Sequence, residues 1–339
     1  MDNFINQWSE SDFDNHIDKV LNKKVTVNTI EIAGDGNMNF TFRLKFEDGG
    51  SIIVKQSPPY CARFPDIPAP EARIISEFKY YELATKDEFL SDHSPALLGL
   101  DKENRIAYIS DLGSATDFEY LYSQEKKLDN TTCQKLIKYL VSLHNLQIPE
   151  DVSFDNMDMR KLNHEYIFHL PFLADDYAID LDTVTNGLEK VARQYKTDVE
   201  LKEAANKLGE LYFQKTRVLI HGDYYPMSWI ETNKGLFVID PEFAFMGLPE
   251  IDLGVFLAHM VMSKNFTLAY TTINEVYGDY DISLMAKICA VEVIRRITYV
   301  SQLPLLNSLS FKSELLSISV SVLKTGKIEL YENINTISI

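Results

Sequence analysis

The sequence predicts an α+β fold in two lobes, an antiparallel sheet with a helix first and a mainly helical lobe after it. Three observations carry this. Short apolar runs separated by Gly- and Asn-rich turns fill the first part of the chain. Helical spacing takes over from about residue 129. The 339 residues, 45% of them hydrophobic, suffice for one large or two medium domains with a substantial core. We expect the division at 1–111 and 112–339.

Residues 3–22 carry Phe4, Ile5, Trp8, Phe13, Ile17, Val20 and Leu21 at loosely helical spacing and predict an N-terminal helix. Strands are predicted over 24–32, 40–46 and 51–56. Between the first two lies Gly34-Asp35-Gly36-Asn37-Met38-Asn39, a loop that tolerates positive φ and leaves backbone N–H groups free to face phosphates. An ordinary hairpin turn is the competing reading of this loop. Asp48-Gly49-Gly50 is such a turn between the next two strands. Lys55 closes the apolar run 52–54, as in kinases that grip ATP phosphates with a strand lysine. The proline-rich segment 57–70 reads as extended, and a helix is expected from Pro70 to about Ala84. It should supply a glutamate to orient Lys55. Glu77, mid-helix, is the choice and Glu71 the runner-up.

Two more strands are expected over 96–98 and 105–109. Asp111 and Leu112, followed by Gly113, read as a hinge whose backbone binds adenine. A helix follows Asp129, and His144 at its end reads as packed or capping. The region 160–215 is mainly helical. Tyr166, Phe168, Phe172 and Tyr177 in it are cleft candidates, although aromatics at such spacing more often belong to a core.

The chemistry concentrates in 217–254. The apolar run 218–220 ends on His221, Gly222 and Asp223, and the run 236–239 ends on Asp240, Pro241 and Glu242. A hairpin through the turn 232–235 is expected to bring these acidic ends together. Carboxylates on neighbouring loops suit Mg²⁺ beside a hydroxyl that must lose a proton. Asp223 would align or accept that proton, while Asp240 and Glu242 hold the metal. Asp252, at the start of an apolar helix over 253–262, would cap it or bond the catalytic loop backbone. A last helix over 282–300 carries Arg295 and Arg296; a salt bridge to a neighbouring acid is an equal reading for each alone.

The net charge of −17 argues against nucleic acid or an anionic membrane as partner. No run is long enough to span a membrane, and the N-terminus does not resemble a signal peptide. Cys61, Cys133 and Cys289 are far apart, as expected of reduced thiols in a cytoplasmic protein. Assembly as a homodimer stays open.

The order of glycine-rich loop, Lys55, helix glutamate, Asp111-Leu112-Gly113, His221-Gly222-Asp223 and Asp240 resembles the aminoglycoside phosphotransferase and choline kinase group. Within it, the chain is most similar to the 5-methylthioribose kinases. Their likeness lies in GDGNMN at 34–39, VKQ at 54–56 with Pro59-Tyr60 following, DPEFAF at 240–245 and the twin Arg295-Arg296. It lies also in Ser228, where most relatives carry a metal-binding asparagine; Glu242 would supply the missing oxygen.

The resemblance implies a protein-kinase-like fold and transfer of the γ-phosphate of MgATP to a sugar hydroxyl, the arginine pair at the sugar site. The loop HGDYYPMS departs from the family's HGDLHTGS: Tyr224 and Tyr225 are bulky, Pro226 stiffens the loop and Trp229 follows. The interval from Asp240 to Arg295 is also short for a methylthioribose kinase. Kinase chemistry is therefore the broader expectation and methylthioribose the narrower one. The competitors are a sibling kinase for an aminoglycoside, a choline-like alcohol or homoserine, and a nucleotide-binding protein without catalysis. The last is disfavoured by the presence of Lys55, Asp223 and Asp240 together.

Overall fold

In the computed structural model the described residues are 4–34, 36–123, 126–174, 178–305 and 308–336. The chain begins with α1 (Glu10–Leu21) and continues through β1 (Val27–Ile32), β2 (Phe40–Phe46), β3 (Ser51–Gln56), β4 (Tyr60–Cys61) and β5 (Phe64–Pro68). Next come α2 (Arg73–Ala84), α3 (Glu88–Asp92), β6 (Leu97–Asp101) and β7 (Ile106–Ser110). Five strands form one antiparallel sheet in the order β1-β2-β3-β7-β6. Alternation along the strands gives the sheet two different faces. Leu44, Ile52, Val54 and Tyr108 pack with Phe13 and Ile17 of α1, whereas Lys55, on the opposite face, meets α2.

Some boundaries differ from the sequence expectation, for local reasons. The N-terminal segment is not one helix. A single turn at Ile5–Gln7 precedes α1, and the break falls where Ser9 and Asp12 form a reciprocal cap. The proline-rich stretch is extended as expected but folds back as the β4–β5 hairpin. Helix α2 starts at Arg73 rather than Pro70.

The second lobe contains β8 (Ala115–Asp117), α4 (Asn130–His144), α5 (Met157–His164), α6 (Leu188–Lys196), α7 (Val199–Tyr212), β9 (Leu219–Ile220), β10 (Trp229–Thr232), β11 (Gly235–Val238) and β12 (Phe245–Met246). Helices α8 (Glu250–Met262), α9 (Phe266–Val276), α10 (Ile282–Thr298) and α11 (Leu309–Thr325) complete it. Helix α8 is buried along its whole length, as its nearly all-round apolar sequence requires. It crosses α10 closely at Gly254, where a Cβ would lie 2.6 Å from Ile288 Cβ. Phe168 and Phe172 belong to this core, Tyr166 meets the Tyr299 ring, and Tyr177 lies outside the described residues.

The expected hairpin between 218–220 and 236–239 is not formed. β11 pairs with β10, which also pairs with β8, while β9 pairs with β12. The turn at 232–235 closes the β10–β11 hairpin instead. The two acidic loops are joined by a side chain: His221 Nε2 donates to the Ile239 carbonyl at 3.0 Å.

Candidate active site

Lys55 is the meeting point of three elements. Its ammonium bonds both carboxylate oxygens of Glu77 on α2, at 2.7 and 2.9 Å. It also bonds Asp240, beyond the end of β11. Burial alone would lower the Lys55 ammonium, but Asp240, Glu77 and Glu242 together hold it above its ordinary value. Lys55 is therefore a fixed cation. Burial raises the Glu77 carboxyl, with Lys55 pulling the other way. Glu71 takes no part through its side chain: it is exposed, and its carbonyl accepts from Ser57 Oγ.

Asp240 has left-handed backbone at φ 60°. Its side chain is 46% exposed, so carboxylate surface remains open to a ligand. Glu242 is enclosed. Asn39 Nδ2 donates to its Oε2 at 2.9 Å, and Arg73 Nε stands 3.6 Å from the same oxygen. Burial lifts its carboxyl to about 7, against the pull of Lys55 and Arg73. Arg73 also bonds Asn39 Oδ1 at 2.9 Å, so one end of the glycine-rich loop is pinned between α2 and Glu242. At Gly34 and Gly36 a Cβ would meet nothing within 4 Å, which leaves that part of the loop open to a ligand. Asp35 lies outside the described residues.

Among the described residues no three or more metal-type side chains converge. Mg²⁺ carried by a nucleotide needs only one or two carboxylates, the rest of its shell being phosphate and water. The exposed carboxylate of Asp240, with Glu242 behind it, fits that requirement.

The His221-Gly222-Asp223 loop is held from beneath. Asp252, in the first turn of α8, accepts from the backbone N–H of His221 at 2.7 Å and of Gly222 at 2.8 Å. Gly222 takes φ 82°, and a Cβ there would sit 2.3 Å from the Phe243 carbonyl oxygen. Only glycine lets the two acidic loops approach so closely. His144 is buried, bonded to Asp252 at 3.1 Å and to the Tyr277 hydroxyl at 2.6 Å. Asp223 itself is 24% exposed on its side chain, with Arg296 Nη2 at 3.7 Å. Burial raises its carboxyl, while Arg296 and Arg295 draw it down. The two acidic loops lie against each other through backbone contacts, His221 Nε2 on the Ile239 carbonyl and Gly222 on Phe243.

The bulky departures divide between core and site. Tyr224 is fully buried, stacks on Tyr139 and donates to the Leu136 carbonyl. Trp229 is likewise buried. Tyr225 faces inward, its ring centroid 4.9 Å from the Arg296 guanidinium. Ser228 Oγ donates to the Asp223 carbonyl at 2.9 Å, which braces the loop. Arg295 and Arg296 both bind Glu292, one turn back on α10.

Asp111 lies apart from these clusters. Arg43 at 2.7 Å, Ser51 at 2.7 Å and the Gly113 N–H at 2.9 Å occupy its carboxylate. The Asp111 carboxylate is therefore engaged within the protein. Sequence reasoning missed Asn39, Arg73 and Glu292. Asn39 lay within the glycine-rich loop, and Glu292 could have been found as the acid at helical spacing before the arginine pair. Nothing in the sequence marks Arg73.

Residues 29–286 match the sequence profile of the phosphotransferase enzyme family. The chain belongs to that family. Its curated relatives include methylthioribose kinase 2 of Oryza sativa subsp. japonica, 27% identical over 248 residues, covering 69% of this chain and 56% of the relative. The methylthioribose kinase of Bacillus velezensis is 27% identical over 275 residues, 72% of this chain and 63% of the relative. The chain thus spans between half and two thirds of the length of these relatives. Among solved structures, spectinomycin phosphotransferase APH(9)-Ia in complex with ADP and spectinomycin aligns at TM-score 0.54 and 13% identity, covering 97% of this phosphotransferase-family chain and 99% of that one. Choline kinase LicA from Streptococcus pneumoniae aligns at TM-score 0.51 and 16% identity, covering 96% of each. These likenesses establish the kinase-like fold. Among the described residues no helix is long and apolar enough to cross a membrane.

Proposed function

We propose that this chain transfers the γ-phosphate of MgATP to a hydroxyl of a small, uncharged alcohol, most closely a 5-methylthioribose-like sugar. The observation that supports this is the convergence of Lys55, Glu77 and Asp240, joined through His221 to the neighbouring loop on which Asp223 meets Arg296. Phosphoryl transfer asks a protein mainly to position groups and balance charge. Lys55, fixed by Glu77, offers a cation to phosphate oxygens. Asp240 and Glu242 would hold Mg²⁺, which when bound neutralises charge on the phosphates. Asp223 aligns the acceptor hydroxyl and takes up its proton.

The relatives named methylthioribose kinase support the sugar reading, and so does the buried guanidinium pair, which with Glu292 and Asp223 leaves no surplus negative charge to draw a cationic alcohol. The catalytically inactive reading loses ground because no bulky loop residue displaces Lys55, Asp223 or Asp240: Tyr224 and Trp229 turn into the core. The buried, free thiols of Cys61, Cys133 and Cys289 suit a reducing cytoplasm.

The deciding experiment is a panel of acceptors with MgATP, read by ADP release. Methylthioribose is expected to turn over. Turnover of another alcohol without methylthioribose would defeat the sugar assignment, and silence across the whole panel would defeat the kinase reading.

A further inference from the structure

The twin arginines of α10 are chemically alike but differently engaged. Arg295 binds Glu292 twice, Nε to Oε2 at 2.5 Å and Nη2 to Oε1 at 2.9 Å. Arg296 reaches Glu292 only through Nε, 2.8 Å from Oε1. Its Nη2 lies 3.7 Å from Asp223 Oδ1, and Tyr225 packs against its guanidinium face.

On the other side, His259 Nε2 is 3.1 Å from Glu292 Oε1, and His259 Nδ1 is 2.6 Å from the Tyr122 hydroxyl. Glu292 is held ionised: burial would raise its carboxyl, but Arg295 and Arg296 force it well below the usual range. It accepts only, so His259 Nε2 carries the proton, Nδ1 accepts, and Tyr122 donates. Three donors thus meet at Oε1. An ionised carboxylate with that many partners has one geometry.

We propose that Glu292 is a positioning residue of the acceptor site: it takes Arg295 as its own counter-ion and sets the terminal nitrogens of Arg296 toward Asp223. This rests on the kinase reading above and deepens it. The arginine pair divides its labour, Arg295 holding the frame and Arg296 alone addressing an acceptor oxygen. Two guanidiniums face two carboxylates, Glu292 and Asp223, so the cluster is balanced and suits an acceptor that brings hydroxyl groups and no net charge.

The test compares Arg295→Lys, Arg296→Lys and Glu292→Gln in full acceptor and ATP kinetics. Losing a charge-assisted bond to the acceptor corresponds to about 10- to 100-fold in affinity. Arg296→Lys and Glu292→Gln should each raise the acceptor KM by that factor and leave the ATP KM in place. Arg295→Lys should change the acceptor KM less than about 3-fold and lower the melting temperature. Equal acceptor effects from the two arginine variants, or an unchanged acceptor KM in Glu292→Gln, would overturn the proposal. A second measurement needs neither turnover nor a stable Glu292 variant. In ¹⁵N spectra of the arginine Nε–H groups, Asp223→Asn should move the Arg296 signal and leave that of Arg295; equal movement of both would also overturn it. If the wild type accepts no alcohol, the kinase reading fails, and the spectra still decide the roles of the arginines.

Discussion

Asp223 is held by its neighbours rather than by its own bonds: Asp252 fixes the two residues before it, Ser228 its carbonyl, and Arg296 faces its carboxylate. Asp223→Asn keeps the shape and removes the base, so kcat should fall by about 10²- to 10⁴-fold while ATP still binds. Rates and ATP titrations on the same preparation check this, and unchanged turnover would remove its role. His259 makes a second residue-scale prediction. Burial lowers its imidazole from 6.5 to about 4, with the Glu292 hydrogen bond opposing. The unfolded chain binds that proton near 6.5 and the folded chain only near 4. This contribution to stability is whole above about pH 6.5 and is lost as the pH falls toward 4. Between pH ~7 and ~5 the loss is about 2 kcal/mol. Urea denaturation across that window should show it, and His259→Gln should flatten it; a variant with the full wild-type slope would refute the assignment. Asp223, Asp240 and Lys55 were legible because each ends an apolar run. Arg73 and Glu292 were not, since a buried charge reads in sequence like any surface charge until its partner is known.

At the scale of elements, β2 and β3 were readable to the residue because a tight Asp-Gly-Gly turn separates an alternating run from a continuous apolar one. The β9–β12 pairing was not readable. Two-residue strands carry no period, and what joins them is the close approach that Gly222 permits to Phe243. The crossing of α8 over α10 is set the same way. A Cβ on Gly254 would lie 2.6 Å from Ile288 Cβ and Cγ2 and 2.9 Å from the Met285 carbonyl oxygen. Backbone and a β-branched side chain cannot yield without moving a helix. Gly254→Ala should therefore cost about 1–3 kcal/mol through overpacking, read as a lower urea midpoint. Because α10 carries Glu292 and Arg296, the displaced helix should raise the acceptor KM more than the ATP KM. A wild-type midpoint would mean that the crossing is looser than the geometry implies.

Across the whole molecule, polar side chains tie the two lobes together. Lys55 reaches Asp240, Ser76 reaches Asn156 at 3.0 Å and Lys79 reaches the Ser153 carbonyl at 2.5 Å. The tie with the greatest consequence joins Asn39 and Arg73 of the first lobe to Glu242 of the second. Arg73 is fully buried and also bonds the carbonyls of Pro58, Pro70, Met38 and Tyr60. It therefore organises the loop, the β4–β5 hairpin and the start of α2 around the Glu242 carboxylate. Removing Arg73 leaves these carbonyls and Asn39 Oδ1 without a donor and takes away a cation that draws the Glu242 carboxyl down, at about 3–5 kcal/mol in all. Arg73→Met should lose stability on that scale. Adding Glu242→Gln to it replaces the carboxyl that has lost its cation and should restore part of the loss, a coupling of about 1–3 kcal/mol in a double-mutant cycle. Urea unfolding of the wild type, both single variants and the double variant measures this directly. If the two substitutions add within about 0.5 kcal/mol, Arg73 serves the backbone carbonyls alone, and the lobes are joined at Lys55 without help from Glu242.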